Sequence, residues 1–118
     1  MTKQEAWRYY KTWMKEKTYC KALNKEVKIT RKGWDHTLFG SNNPNNKSDR
    51  RNRLKLFSLA KRAIKFSDEL KSVKRGNVIY YEIKYSGVLK NQGKVFKIKV
   101  LLKRDIKGNY YLFDVMQV

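Results

Sequence analysis

Val95-Phe96-Lys97-Ile98-Lys99-Val100-Leu101-Leu102-Lys103 lies towards the C-terminal end of the chain and alternates with a period of two. Phe96, Ile98, Val100 and Leu102 share one face, while Lys97, Lys99 and Lys103 take the other. This is the pattern of a strand that buries one face and offers the other to solvent. Upstream, residues 78–89 begin a second strand, with Ile79, Tyr81, Ile83 and Tyr85 on one face. Asn91-Gln92-Gly93-Lys94 reads as the turn that joins the two. Downstream, Asp105 to Asn109 turns around Gly108, and Tyr111, Phe113 and Val115 outline a third strand. Three strands joined by short turns predict an antiparallel meander, whose apolar face must be covered by a helix.

The stretch 50–66 supplies that helix. At about 100° per residue, Leu56, Phe57, Ala60, Ala63 and Ile64 form one apolar face, and Lys55, Lys61, Arg62 and Lys65 fall outside it. Arg53 falls between Phe57 and Ala60 on the wheel and is therefore expected to point towards the sheet. An inward guanidinium needs a phosphate or a carboxylate as partner, because burying an unpaired charge is costly. Residues 40–49, which hold the single proline and many asparagines, predict an exposed loop, with Ser48 or Asp49 capping the helix. Before the loop, Gly33-Trp34-Asp35-His36 reads as a turn anchored by Trp34, with Asp35 at the surface. Residues 26–30 alternate as a short strand, and residues 3–17 read as a helix with Ala6, Tyr10, Trp13 and Met14 at helical spacing. The expected class is α+β, one domain over residues 1–118.

Charge narrows the function. Twenty-nine Lys and Arg against ten Asp and Glu give a net charge of +19. Such self-repulsion weakens a compact fold unless a polyanion makes use of it. The lysines spread over helices and strands instead of gathering beside an apolar anchor, which favours nucleic acid over an anionic membrane. No apolar run approaches the roughly 18 residues needed to cross a bilayer, and the N-terminal stretch has no apolar signal core. Cys20 is the single cysteine, so no internal disulfide and no cysteine-based zinc site is expected. These features suit a cytoplasmic site of action, with delivery as part of a larger secreted toxin as a further route.

His36 is the only histidine. Imidazole is the side chain that both accepts and gives a proton near neutral pH, and the arginine fork suits phosphate. RNA carries its own nucleophile, so its cleavage needs a base for the 2′-OH proton, an acid for the 5′-oxygen and positive charge for the phosphorane-like transition state. His36 fits either proton-transfer role, and Arg53 with Arg50 or Arg51 fits the third. Tyr81, Tyr111 and Asp114 are candidates for the other proton transfer. Thr30 and Thr37 could offer a hydroxyl to phosphate, Lys97 and Lys99 could bind the backbone, and Tyr80 and Tyr110 could stack on bases. The acidic residues are few and scattered, a poor fit to metal-dependent nuclease chemistry, so no metal and no cofactor is expected. A Gly-rich phosphate loop and a Gly-x-Ser-x-Gly elbow are both lacking.

The order Ile29-Thr30-Arg31-Lys32-Gly33-Trp34-Asp35-His36, a variable loop, Arg53-Leu54-Lys55-Leu56-Phe57-Ser58-Leu59-Ala60-Lys61 and a three-strand meander resembles the barnase–EndoU–colicin–RelE-like (BECR) ribonuclease superfamily. It looks most like the phage-associated and contact-dependent inhibition toxin-type members. The likeness runs over about residues 27–118 and leaves residues 1–25 as a helical N-terminal extension to a core that starts at residue 26. The resemblance implies an endoribonuclease that needs no metal, with His36 and Arg53 in its active site and tRNA as the expected target. Such domains often carry a hydroxyl residue in the final strand. Here Phe113-Asp114-Val115 puts a carboxylate there instead. Toxin members usually have an acidic immunity or antitoxin partner, which a +19 chain would attract. The rival readings are a non-catalytic RNA- or ribosome-binding module and a DNA-binding protein of a phage or mobile element.

Overall fold

The computed structural model describes residues 2–39, 55–88 and 93–118. They form three helices and a six-stranded sheet: α1 (Lys3–Lys15), β1 (Thr18–Cys20), β2 (Lys25–Lys28), α2 (Arg31–Phe39), α3 (Phe57–Phe66), β3 (Lys71–Arg75), β4 (Val78–Val88), β5 (Val95–Arg104) and β6 (Tyr110–Gln117). The strand order is β1-β2-β6-β5-β4-β3. The meander β4-β5-β6 is antiparallel, as the alternation predicts, while β2 lies parallel to β6 and makes the sheet mixed. The α+β class holds, with one helix and two short strands more than the periodicity announced. No helix among the described residues is long and apolar enough to cross a membrane.

One face of the sheet carries the core. Ile83, Ile98, Val100, Leu102, Leu112 and Val115 are buried there, and Leu56, Phe57, Leu59, Ala60, Ala63 and Ile64 meet them from α3 and the turn before it. Fully burying one such side chain contributes about 1.5–3 kcal/mol. Helix α1 adds Ala6, Tyr10 and Trp13, and the Trp13 Nε1–H donates to the buried Thr18 hydroxyl at 2.8 Å. Cys20 belongs to the same core, and burial pushes its thiol above the ordinary value. The loop 40–49, its capping Ser48 or Asp49, and most of the turn 91–94 lie outside the described residues.

The structure departs from expectation in α2 and in β6. Gly33-Trp34-Asp35-His36 is no turn; it lies inside α2. Strand β2 pairs with β6 only at Val27↔Tyr110 and Lys28↔Tyr111, and α2 then takes over beside the rest of β6. Trp34 stacks on Phe57 in the core, so tertiary packing stabilises a helix of weak intrinsic propensity. Gly33 permits the approach. A Cβ there would sit 2.7 Å from the Tyr10 hydroxyl oxygen and 2.8 Å from the Leu112 carbonyl oxygen. Gly33→Ala is therefore expected to lose roughly 1–3 kcal/mol, read as a lower urea midpoint, through overpacking.

The second correction concerns β6. Leu101 pairs with Asp114 but Leu102 pairs with Leu112, so Phe113 is the extra residue of a β-bulge. The alternation shifts there. Leu112 and Val115 face the core, while Tyr111 and Asp114 take the opposite face. Tyr111, Phe113 and Val115 therefore do not share a face. Tyr110 also departs from expectation: it lies on the core side, edge-on to Tyr81 at 5.2 Å.

Asp105 holds the β5–β6 turn, its Oδ1 accepting from the backbone N–H of Lys107 and Asn109 at 2.9 Å each. The Asn109 bond foremost keeps this carboxyl below the ordinary aspartate range. A lowered folded-state value stabilises the fold above the unfolded value and loses that contribution as pH falls through the folded one. Stability is therefore expected to decline below about pH 4, and Asp105→Asn should flatten that part of an acid-titration midpoint curve.

Candidate functional site

The face of the sheet opposite the core gathers charge. From the register, Lys71 and Arg75 of β3, Lys84 of β4 and Lys97, Lys99 and Lys103 of β5 point to it. Glu82 of β4 and Asp114 of β6 are carboxylates on the same side. Lys84 and Lys99 stand directly opposite one another, an arrangement that costs stability in a free sheet. The face therefore keeps a strong positive potential.

Helix α2 places His36 at the β6 side of this face. His36 Nδ1 lies 3.3 Å from Asp114 Oδ2, although the two residues are far apart in sequence. The contact is ionic in reach without an aligned hydrogen bond, and Nδ1 itself is buried. The side chain is 31% exposed overall, so its accessible part lies elsewhere than at Nδ1. Asp114 is fixed from behind. Its Oδ1 accepts from the Val115 N–H at 2.8 Å, and the buried Thr37 hydroxyl accepts from the same N–H at 3.3 Å. Thr37 thus ties α2 to β6 and is no phosphate ligand. The bulge makes the pairing possible, because an unbroken alternation after Leu112 would turn position 114 towards the core.

Aromatic rings extend the site. The Phe113 ring packs on His36 with centroids 3.9 Å apart, and Tyr80 lies 5.3 Å from Phe113. Lys103 Nζ sits 4.9 Å from the Phe113 centroid and 5.8 Å from that of Tyr80. Tyr111 lies on the same face, with Lys32 Nζ 5.6 Å from its ring. Lys32 and His36 are one turn apart on α2, so the helix lays both along β6. Burial raises the Tyr111 phenol above its ordinary value, so it stays protonated well beyond neutral pH.

The other expected site residues divide. Lys97 and Lys99 share the face with His36 and Asp114, but Lys99 Nζ is held 3.8 Å from Glu82 Oε2. Thr30 precedes α2. Its carbonyl accepts from the Tyr10 hydroxyl and the Gly33 N–H, and its own hydroxyl oxygen is buried. A buried oxygen cannot meet a phosphate without movement of the chain. Asp35 lies 3.6 Å from Arg31 on the outer side of α2, as a surface residue should. Arg50, Arg51 and Arg53 lie outside the described residues. Sequence reading missed Phe113 and Lys103 as parts of the site, and also the buried Glu82. Glu82 left a legible signal, a carboxylate on the polar side of an otherwise alternating strand. Phe113 left none, because an apolar residue at an odd position reads as core.

Among the described residues no group of three or more His, Cys, Asp or Glu could hold a metal ion. No protein-family model, curated protein or solved structure matches the chain.

Proposed function

We propose that the protein is a metal-independent endoribonuclease of the toxin type, a divergent relative of the BECR ribonucleases, with tRNA as its expected target. The observation that carries this reading is the approach of His36 to Asp114 on a cationic sheet face. In the reaction, His36 Nε2 takes the 2′-OH proton and the freed oxygen attacks the adjacent phosphorus. The bond to the 5′-oxygen breaks, and that oxygen leaves with a proton from a second group. The products are a 2′,3′-cyclic phosphate and a 5′-hydroxyl. Asp114 holds the ring with Nδ1 inward and stabilises the imidazolium that forms, a contact that tightens when substrate arrives. Tyr111, protonated at neutral pH, fits the acid role. Lysines of the face balance the charge that grows on the phosphorane, and Arg53 is the further cation that the family resemblance implies. An acidic immunity protein would dock on the same positive surface.

Incubation of the purified chain with total tRNA, with and without a chelator, tests the proposal. Cleavage that persists in chelator and weakens steeply with salt is expected. Intact tRNA after long incubation, with the RNA nevertheless bound, would support the binding-module reading instead.

A further inference from the structure

We propose that Tyr80, with Lys103 and Arg75, forms a subsite for an unpaired nucleotide next to His36, so that the substrate is single-stranded where it meets the sheet. This deepens the ribonuclease reading and rests on it for the identity of the strand as RNA. Some charges of the face are already committed. Lys99 is paired with Glu82, and the Asp114 carboxylate lies against His36. Lys103 and Arg75 reach no carboxylate at ion-pair distance among the described residues and are held over rings instead: Lys103 over Phe113 and Tyr80, Arg75 over Tyr80 at 5.9 Å. Two cations around one half-buried tyrosine repel each other, and a bound phosphate relieves that repulsion.

The ring supplies the second half of a nucleotide's chemistry. Every base has a π-face, and aromatic stacking holds single strands without reading their sequence. A base inside an A-form duplex is already stacked on its neighbours, and the deep, narrow major groove of that duplex keeps side chains out. Phe113 links this subsite to the reaction centre, since its ring touches His36, Tyr80 and Lys103. A nucleotide stacked at Tyr80 thus brings its phosphate towards the imidazole.

The test uses the full chain carrying His36→Ala, so that binding is read without cutting, and a short oligoribonucleotide bearing one 2-aminopurine. The single strand should bind roughly tenfold tighter than its duplex at equal salt, with 2-aminopurine emission quenched on binding. Tyr80→Leu should abolish the quenching and most of the preference, and Tyr80→Phe should keep both. Lys103→Gln should lower the slope of log affinity against log salt by about one and leave the quenching in place. Equal affinity for the duplex, or quenching that survives Tyr80→Leu, overturns the subsite. If Tyr80→Leu does not fold, an unchanged salt slope in Lys103→Gln overturns it independently. Quenching by wild-type protein that never cuts RNA would defeat the ribonuclease reading while keeping the subsite. Cutting by a Tyr80→Leu protein that still prefers single strands would do the reverse.

Discussion

Replacing His36 with alanine is expected to slow RNA cleavage by roughly 10²–10⁴-fold, with RNA affinity nearly unchanged. The loss follows from the chemistry assigned to the ring. It is the only imidazole in the chain, and its Nδ1 is engaged by Asp114, so no neighbouring side chain offers the same proton affinity. The affinity should survive because the proposed reading assigns the phosphate contacts to cations spread over the whole sheet face, which this substitution leaves in place. The fold should survive as well, since the side chain is partly exposed and packs at the rim of the site, outside the core formed with α3. Single-turnover cleavage of one purified oligoribonucleotide, beside a binding curve for the same variant, checks both halves. Equal cleavage by the two proteins after stringent purification would remove His36 from the mechanism.

Asp114→Asn is expected to lower the cleavage rate by roughly 10²–10⁴-fold with little change in substrate affinity, by the logic of a carboxylate that orients an imidazole. The amide keeps the size of the buried side chain and still accepts from the Val115 N–H. It removes the charge facing Nδ1, so the ring loses its preferred tautomer and the stabilisation of its protonated form. A double-mutant cycle separates this role from a structural one. If Asp114 acts through His36, the pair of substitutions should be no slower than His36→Ala alone. Fully additive losses would assign Asp114 a separate task.

The parts of the fold that could be read locally are those whose burial pattern matches one period. Leu56, Phe57, Ala60, Ala63 and Ile64 are all buried on one side, as the helical wheel requires. Phe96, Ile98, Val100 and Leu102 turn to the core and Lys97, Lys99 and Lys103 away from it, and their neighbours in β4 keep the same register, although Leu101 is buried on the opposite face as well. Helix α2 was illegible because Gly33, Asp35, His36 and Thr37 are poor helix formers, and what holds them is the stacking of Trp34 on Phe57 and the Thr37 contact to β6. Strand β3 was missed for a different reason: Lys71, Ser72, Lys74 and Arg75 surround a single apolar Val73, so an edge strand without a buried face leaves no alternation to detect.

The site shows the same division. His36 stood out by being unique, and Asp114 by being a carboxylate in an apolar strand. That they meet depends on the Phe113 bulge and on where β2 ends, both of which are long-range features with no local signature. The cations could be counted from the sequence, but not which of them were already paired. Lys99 and Lys103 look alike in the strand pattern, yet one lies beside Glu82 and the other between two rings.

The most direct measurement is the chemistry of the cut ends. A synthetic oligoribonucleotide digested by the wild-type chain in chelator, followed by mass analysis of the fragments, should yield a 2′,3′-cyclic phosphate on one piece and a 5′-hydroxyl on the other, and the all-deoxy strand of the same sequence should remain whole. A 3′-hydroxyl paired with a 5′-phosphate, or equal scission of the deoxy strand, would mean that the 2′-oxygen is not the nucleophile and would contradict the role given to His36 and Asp114.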